Sequence, residues 1–374
     1  MKILYINTYA PPNYVGGTER TIDVYFEILS GEHELHLATT DRESCYESYF
    51  RLPHSKSRIA IAISNFINLS AYFELKRIIK KIRPDVVHAK NLFLLSPMVW
   101  LAVKTSGISE IKLIQTIEGH SLSKNGLKFR VRKNYYRFMS RLVDELTTPT
   151  EYTMQQFTAP NWFPNAKKHI VRNAVKFENQ SEVEKTSGAT LPLKQPNTVR
   201  YLFLGQLEEY KGILWLVKCF SEFYKTNSDA ELIIAGNGSV KDKLTAYSNG
   251  VDGITYIGWV DKAQKNEVIF SADILLMTTI PSLVEESSPM VIIESYAHGK
   301  PVIATKSGGA AEMVIHTKTG YLLDGETDEE LIKALEFFKI EENRNKMSER
   351  IEAELEKYSY HTQKMKLLSI YARK

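Results

Sequence analysis

Residues 281–305 read PSLVEESSPMVIIESYAHGKPVIAT and contain two glutamates eight positions apart, Glu286 and Glu294. Between them lie Ser288, a residue typical of a helix N-cap, and Pro289, which suits the first helical position because its missing N–H is not needed there. The sequence therefore predicts that a helix begins between two carboxylates, one in the preceding loop and one in the second helical turn.

The predicted helix covers residues 290–298 and is followed by a short buried strand over residues 302–305. Gly299 is typical of the position that ends a helix, and Pro301 cannot continue one. The start of a helix presents backbone N–H groups and favours phosphate. Glu294 adjoins an apolar run, so we expect its carboxylate to need a partner. A phosphate site flanked by two carboxylates suggests a ligand with both phosphates and hydroxyls, such as a nucleotide sugar.

This stretch resembles the donor-binding motif of retaining glycosyltransferases of family 4, which have the GT-B fold. The family motif is a glutamate, seven residues and a second glutamate, followed by a small-residue helix and a Gly-x-Pro-Val turn. The resemblance implies that Glu286 contacts the transferred sugar and that Glu294 binds the ribose hydroxyls of the donor. It also implies donor contacts around the helix start, by Ser287, Ser288, Pro289, Met290 and Val291.

The chain has 374 residues, of which 43% are hydrophobic and 25% charged, as is typical of a soluble globular protein of two domains. Its two cysteines, Cys45 and Cys219, are far apart in sequence, which favours a reducing compartment. The first residues, MKILYINTYAPP, predict a strand rather than a signal peptide, and no apolar run approaches the roughly 20 residues of a membrane span. We therefore expect a cytoplasmic protein, which can still bind peripherally to the inner face of the membrane.

In the first half, strands and helices alternate, which predicts βαβ units and a parallel sheet. Gly16 and Gly17 precede a helix that we expect to begin near Thr18, and they resemble the family's glycine loop near the donor phosphates. The predicted strands of this half cover residues 2–7, 34–38, 85–88, 112–116, 145–148 and 169–171.

Candidate catalytic residues of the first half follow the strand over 112–116, at the sheet edge where ligands bind. Family members usually have a His-Asp pair there, and its His lies near the reacting carbon. In this chain Glu118 stands at the position of that His, and His120 comes two residues later. Either residue could take the role of the family His, or neither could.

The second half repeats the alternation, and the segment from Gln206 to Gly212 resembles the family's G-R-L…K-G sequence, whose Arg and Lys bind the leaving diphosphate. Lys211 matches the Lys, whereas Gln206 replaces the Arg and removes one positive charge. Positive charge is needed because the leaving group gains negative charge as the glycosidic bond breaks. Gly236 is predicted to form another tight turn at the donor, and the resemblance places backbone contacts to the base at Val260.

These patterns predict an α/β protein of the GT-B fold, with two Rossmann-like β/α/β domains facing each other across a cleft. We expect an N-terminal acceptor-binding domain over residues 1–176, a polar linker over 177–197, a nucleotide-sugar-binding domain over 198–357 and a last helix within 358–374 that crosses back to the first domain. No Asp-x-Asp pair or His/Cys cluster occurs in the sequence, so we expect catalysis without a metal or other cofactor.

The function implied by the resemblance is retaining transfer of a sugar to a glycan or lipid-linked glycan acceptor in polysaccharide biosynthesis, with UDP-sugars as the expected donors. Two alternatives stay open. One is a sugar-nucleotide-binding partner subunit without catalysis, which Gln206 and the missing His-Asp pair favour. The other is a sugar-nucleotide epimerase or hydrolase on the same fold.

The net charge of +4 is unevenly distributed: residues 1–178 carry 25 Lys+Arg and 16 Asp+Glu, and the remainder carries 23 and 28. The positive charge is concentrated in residues 76–83 and 124–141, where Lys and Arg are interleaved with aromatic and aliphatic residues. Such a run is often only a solvated helix face, but the apolar residues beside the charges favour an anionic membrane surface. No nucleic-acid-binding motif accompanies the charge, so we expect no nucleic-acid partner.

Overall fold

A computed structural model of the chain divides into two compact units, Met1–Ala174 with Tyr360–Lys374, and Val175–Ser359. Residues 178–190 of the predicted linker lie outside the described residues, and the other linker residues belong to the second unit. The structure describes residues 1–7, 17–40, 44–53, 69–90, 96–119, 134, 137–158, 162–177, 191–248 and 250–372.

The first unit is built on a sheet of seven parallel strands in the order β3-β2-β1-β4-β5-β6-β7. The strands are β1 (Lys2–Asn7), β2 (Glu34–Thr39), β3 (Tyr49–Arg51), β4 (Val86–Lys90), β5 (Lys112–Thr116), β6 (Glu145–Thr148) and β7 (Lys167–Ile170). The helices between them are α1 (Gly17–Leu29), α2 (Leu69–Ile82), α3 (Ser96–Lys104) and α4 (Glu151–Thr158).

The second unit is built on six parallel strands in the order β10-β9-β8-β11-β12-β13. The strands are β8 (Val199–Leu204), β9 (Ala230–Ala235), β10 (Ile254–Gly258), β11 (Ile274–Met277), β12 (Val302–Thr305) and β13 (Gly320–Leu323). The helices are α5 (Ile213–Tyr224), α6 (Lys241–Ser248), α7 (Lys262–Ser271), α8 (Met290–Ala297), α9 (Ala310–Met313), α10 (Asp328–Lys339) and α11 (Glu341–Leu355).

The central strands of both sheets are buried along their length because helices cover both faces of each sheet. This explains why they are near-continuous apolar runs rather than alternating sequences. Two alternating α/β units with all-parallel sheets confirm the predicted fold class. In each sheet the strand order reverses at one place, between β1 and β4 and between β8 and β11, and ligands of open parallel sheets bind beside such a reversal.

The C-terminal helix α12 (Tyr360–Tyr371) belongs to the first unit and packs against α1. The hydroxyl of Tyr371 lies 2.9 Å from the hydroxyl of Tyr5 on β1 and 2.7 Å from Nδ1 of His88 on β4. All three side chains are buried, so Tyr371 fixes the last turn of α12 in the interior of the unit.

Helix α8 of the central stretch begins at Met290 as predicted, but Pro289 takes the N-cap position that the sequence predicts for Ser288. Pro289 has φ −66° and ψ 109°, so it is an extended N-cap residue and not the first helical residue. The φ of proline suits either position, and its ψ decides between them. At the other end the prediction is correct: Gly299 has φ +67° and its N–H donates to the carbonyl of Tyr296 at 2.8 Å, while Lys300 N–H donates to Ser295 O at 3.0 Å.

Candidate active site of the second unit

The predicted donor-binding charges of the second unit follow two strands that are paired with each other. Strand β8 pairs with β11 at the place where the strand order reverses. Lys211 lies in the turn after β8, and Glu286 lies in the loop after β11. The topology therefore brings together two side chains that are 75 positions apart in sequence.

Gly212 allows these two segments to approach closely. It has φ +67°, and a Cβ atom built on it would lie 2.1 Å from the carbonyl oxygen of Thr278. The neighbouring hydrogen bonds join the same segments: Ile280 N–H donates to Tyr210 O at 2.7 Å, and the Thr278 hydroxyl donates to Lys211 O at 3.1 Å. Only glycine fits both the backbone conformation and the space at this position.

Lys211 and Glu286 form an ion pair, with 2.6 Å between Nζ and Oε1, and their side chains are 18% and 14% exposed. The hydroxyl of Thr279 donates to the same carboxylate oxygen. The backbone of Glu286 is also fixed, since Gly309 N–H donates to its carbonyl at 2.7 Å. Glu286 is thus oriented through its side chain and its backbone before any ligand arrives.

Glu294, in the second turn of α8, has the partner that its buried position requires. Lys265 Nζ lies 2.7 Å from Glu294 Oε1. Each of the two acids of the motif is therefore paired with a lysine from another element, and the two pairs leave no net charge at these four side chains.

The turns after β8 and β9 are stacked on each other. A Cβ atom on Gly236 would lie 1.8 Å from the carbonyl oxygen of Gly205, and Leu207 N–H donates to Asn237 O at 2.9 Å. Gly236, with φ +147°, is therefore required by this backbone contact, independently of any ligand. Gln206, in the same turn, is exposed and accepts a hydrogen bond from the Tyr210 hydroxyl at 3.0 Å.

The remaining predicted donor-binding residues surround the start of α8 or follow β10. Val260 is half-buried and packs against the same apolar cluster as Met290 and Val291. Ser287 and Ser288 are half-buried, Pro289 is buried, and the Ser288 hydroxyl lies 3.9 Å from the sulfur of Met313. At the start of α8, Ile292 N–H donates to Pro289 O at 3.2 Å, so Met290 and Val291 carry the N–H groups that the geometry of a helix start directs toward a ligand.

In the first unit, Glu118 lies just after β5 and forms a buried ion pair with Lys90 at the end of β4, at 2.5 Å. The Thr21 hydroxyl on α1 donates to the same oxygen of Glu118 at 2.6 Å. The other predictions for this loop region, Gly16 and His120, lie outside the described residues, and Gly17 is the first residue of α1.

Two titratable groups near this pair have strongly shifted pKa values. Burial and the positive charge of Lys90 hold the pKa of His88 well below its usual range, so its ring is neutral. Burial and the negative charge of Glu118 raise the pKa of the Tyr25 hydroxyl. The ammonium of Lys90 lies 4.2 Å from the ring centroid of Tyr25, so the charge of the lysine is balanced by a carboxylate and an aromatic face.

Sequence reasoning missed residues that contact the predicted acids, among them Lys265 at Glu294, Thr279 at Glu286 and Thr21 at Glu118. The sequence around Glu294 indicates that a partner is needed, but the partner is on another helix and no local spacing identifies it. Among the residues that the structure describes, no group of three or more His, Cys, Asp or Glu side chains could hold a metal ion.

Comparison with known proteins identifies relatives along most of the chain. A family model described as Glycosyl transferases group 1 matches residues 198–338, and one described as Glycosyltransferase Family 4 matches residues 15–179. An uncharacterized 42.6 kDa protein in the cps region of Klebsiella pneumoniae is 24% identical over 352 residues, covering 84% of this chain and 87% of that protein. The lipopolysaccharide 1,2-N-acetylglucosaminetransferase of Salmonella typhimurium is 32% identical over 133 residues, covering 33% of this chain and 34% of that protein. The crystal structure of Anabaena HepE in complex with UDP matches with a TM-score of 0.74 at 15% identity, covering 99% of both chains.

Two Rossmann-like units of this topology, with relatives of this kind, define an enzyme of the GT-B glycosyltransferase class. The two family matches together cover most of the chain, and it belongs to the group 1, family 4 glycosyltransferases.

Proposed function

We propose that this glycosyltransferase moves a sugar from a UDP-sugar to a glycan or lipid-linked glycan acceptor with retention of the anomeric configuration, in polysaccharide biosynthesis. The observation that carries the proposal is the pair of Lys211 and Glu286 at the β8–β11 reversal, 2.6 Å apart and oriented by Gly212 and Thr279. A cation and a carboxylate at one point of the sheet edge suit a donor with a diphosphate next to a sugar.

The chemistry follows from these charges. As the bond between the sugar C1 and the diphosphate oxygen breaks, negative charge grows on the diphosphate, and the ammonium of Lys211 stabilises it. Glu286 accepts hydrogen bonds from hydroxyls of the transferred sugar. Glu294 accepts hydrogen bonds from the ribose, and the N–H groups at the start of α8 bind phosphate oxygens. In this proposal Lys211 supplies the positive charge that a metal ion supplies in other transferases, so no metal is needed.

The choice of donor and acceptor rests on the relatives. HepE was crystallised with UDP, and the Salmonella protein is named for transfer of N-acetylglucosamine to lipopolysaccharide. A protein from a cps region matches along 84% of the chain. These names favour UDP-sugars and a bacterial surface glycan.

One experiment separates the proposal from its alternatives. Thermal unfolding is measured with UDP, GDP and ADP, because a ligand at 100 times its Kd adds roughly 2.7 kcal/mol to the free energy of unfolding. The nucleotide that stabilises the protein is then supplied as its sugar derivatives, with and without glycan acceptors and with EDTA. Transfer with retention, measured by the anomeric coupling constant in NMR and unchanged by EDTA, supports the proposal. Binding without turnover favours a non-catalytic subunit, and the uncharged Gln206 in place of Arg would explain that result. An epimerised or hydrolysed donor favours the sugar-nucleotide epimerase or hydrolase.

Peripheral binding to an anionic membrane is part of the same proposal, because a lipid-linked acceptor lies at a membrane surface. Helix α2 exposes Leu69 and Phe73 together with Arg77 and Lys80, which are spaced so that they share one face of the helix. No helix within the described ranges is long and apolar enough to span a bilayer.

A further inference from the structure

A lysine outside the donor motif contacts the acid to which we assign the ribose. Lys265 lies on α7 and Glu294 on α8, 29 positions apart in sequence, and their side chains are only 13% and 10% exposed. We propose that Lys265 is a positioning residue for donor binding: its ammonium holds the carboxylate of Glu294 in the orientation that accepts the ribose hydroxyls. This inference rests on the proposed function and deepens it.

The position of Lys265 is fixed by its helix. The start of α7 is closed by a reciprocal pair of hydrogen bonds, in which Gln264 N–H donates to Asp261 Oδ1 at 2.9 Å and Asp261 N–H donates to Gln264 Oε1 at 3.0 Å. Lys265 is the next residue, and its own N–H donates to Asp261 O at 2.9 Å.

The distance between the two helices is fixed by apolar packing one turn further along. Val268 and Ile269 of α7 belong to the same buried cluster as Ile292 and Ile293 of α8. Lys265 and Glu294 adjoin this cluster, so they meet in a region that is already rigid. A side chain of Lys is flexible in water, but here its stem is enclosed and its ammonium is held at 2.7 Å from the carboxylate.

Removal of the ammonium would change the orientation of the Glu294 carboxylate and leave the rest of the proposed donor site intact. A largely buried carboxylate without its cation is costly, so Glu294 would turn toward water and away from its present orientation. The contacts with the diphosphate come from Lys211 and the start of α8, and these do not involve Lys265. Binding affinity should therefore fall only for ligands that carry ribose hydroxyls.

The test compares the binding of UDP and of 2′,3′-dideoxy-UDP, which lacks those hydroxyls, by calorimetry. In Lys265→Met we expect UDP to bind about 10-fold more weakly, the effect of losing one charge-assisted hydrogen bond, while the dideoxy analogue binds as it does to the parent. The double variant Lys265→Met with Glu294→Gln should bind UDP no more weakly than Glu294→Gln alone, because the lysine acts through the glutamate. Lys265→Arg should keep most of the preference for UDP. Lys262→Met, an exposed lysine on the same helix, should change neither ligand.

Three results would overturn the inference. One is an equal loss for UDP and the dideoxy analogue in Lys265→Met, which would mean that the lysine supports the site as a whole. Another is an unchanged UDP affinity in that variant. The third is an additive loss in the double variant. If Lys265→Met does not fold, Lys265→Gln replaces it, since it keeps the length and polarity of the side chain without the charge. A parent protein that binds no nucleoside diphosphate would overturn the proposed function itself, which is a different result from any of these.

Discussion

At the scale of single residues, the two glutamates of the motif should be separable by experiment. In the free protein Glu286 neutralises Lys211, so Glu286→Gln releases the ammonium for the diphosphate. We therefore expect UDP to bind this variant at least as tightly as the parent, while turnover falls by about 100-fold or more because a contact made at the transition state is lost. Glu294→Gln should instead weaken UDP binding by about 10-fold, since the ribose loses an ionised acceptor. Calorimetry with UDP and initial rates with the active donor measure both effects. Equal damage to binding and turnover in both variants would contradict this division of roles.

Lys211 is the residue whose charge the proposed mechanism needs most. Lys211→Met should lower turnover by about 100-fold, the usual effect of removing one preorganised electrostatic group, and should also weaken UDP binding. Lys218→Met is the matched control, because Lys218 lies on the following helix and pairs with Asp328 with its side chain 61% exposed. The control should keep full activity. A Lys211→Met enzyme with normal turnover would show that the diphosphate is stabilised by another group.

At the scale of structural elements, two glycines with the same backbone angle test how the site is assembled. Gly212 and Gly299 both have φ +67°, but a Cβ atom on Gly212 would meet the carbonyl of Thr278 at 2.1 Å, whereas Gly299 has nothing within 4 Å. Gly299→Ala should lower the free energy of unfolding by about 1–2 kcal/mol, which is the strain of placing an alanine in the left-handed backbone conformation. Gly212→Ala should cost at least about 2 kcal/mol more, because a backbone oxygen cannot move aside as a side chain can. Urea unfolding measures both values, and similar losses would mean that the turn at Lys211 can withdraw from β11.

The elements also show what the sequence can and cannot predict. Central strands such as β5 and β12 are predicted to the residue, because an apolar run between turn residues is a local signal. The edge strands β3 and β13 are not predicted, since β3 has only three residues and β13 begins with a glycine, which is uncommon within strands. The family patterns predict Glu286, Glu294 and Lys211 as candidates, but they do not identify the partners of the two glutamates. Tertiary packing brings Lys265 to Glu294 from another helix, and Thr279 reaches Glu286 from the beginning of the same loop.

At the scale of the whole molecule, charge and exposed apolar groups coincide in the first unit. Residues 1–178 hold 25 Lys+Arg against 16 Asp+Glu. The same unit exposes Phe73 and Phe138, each at 63%, and Phe138 lies between the exposed Arg137 and Arg141. Helix α2, which carries Phe73, packs on α3, and α3 contacts the short turn Ser140–Leu142 next to Phe138. Five further basic residues of the segment 124–141 lie outside the described residues, namely Lys124, Lys128, Arg130, Arg132 and Lys133.

This coincidence predicts reversible binding to anionic membranes. The parent should sediment with vesicles that contain anionic lipid and not with neutral vesicles, and salt should weaken the binding because the attraction is screened beyond about 8–10 Å. Each basic residue at the surface is worth about 1 kcal/mol, so neutralising Lys128, Arg130, Arg132 and Lys133 together should release the protein.

Phe73→Ser combined with Phe138→Ser should weaken binding at least about 10-fold, because burial of one such side chain in the interface contributes about 1.5–3 kcal/mol. Tyr247→Ser, an aromatic residue 53% exposed in the acidic second unit, is the matched control and should bind like the parent. UDP affinity should be the same in all these variants. Binding to neutral vesicles as strong as to anionic ones, or no loss in the phenylalanine variant, would leave this face as an ordinary solvated surface and would favour a soluble glycan over a lipid-linked acceptor.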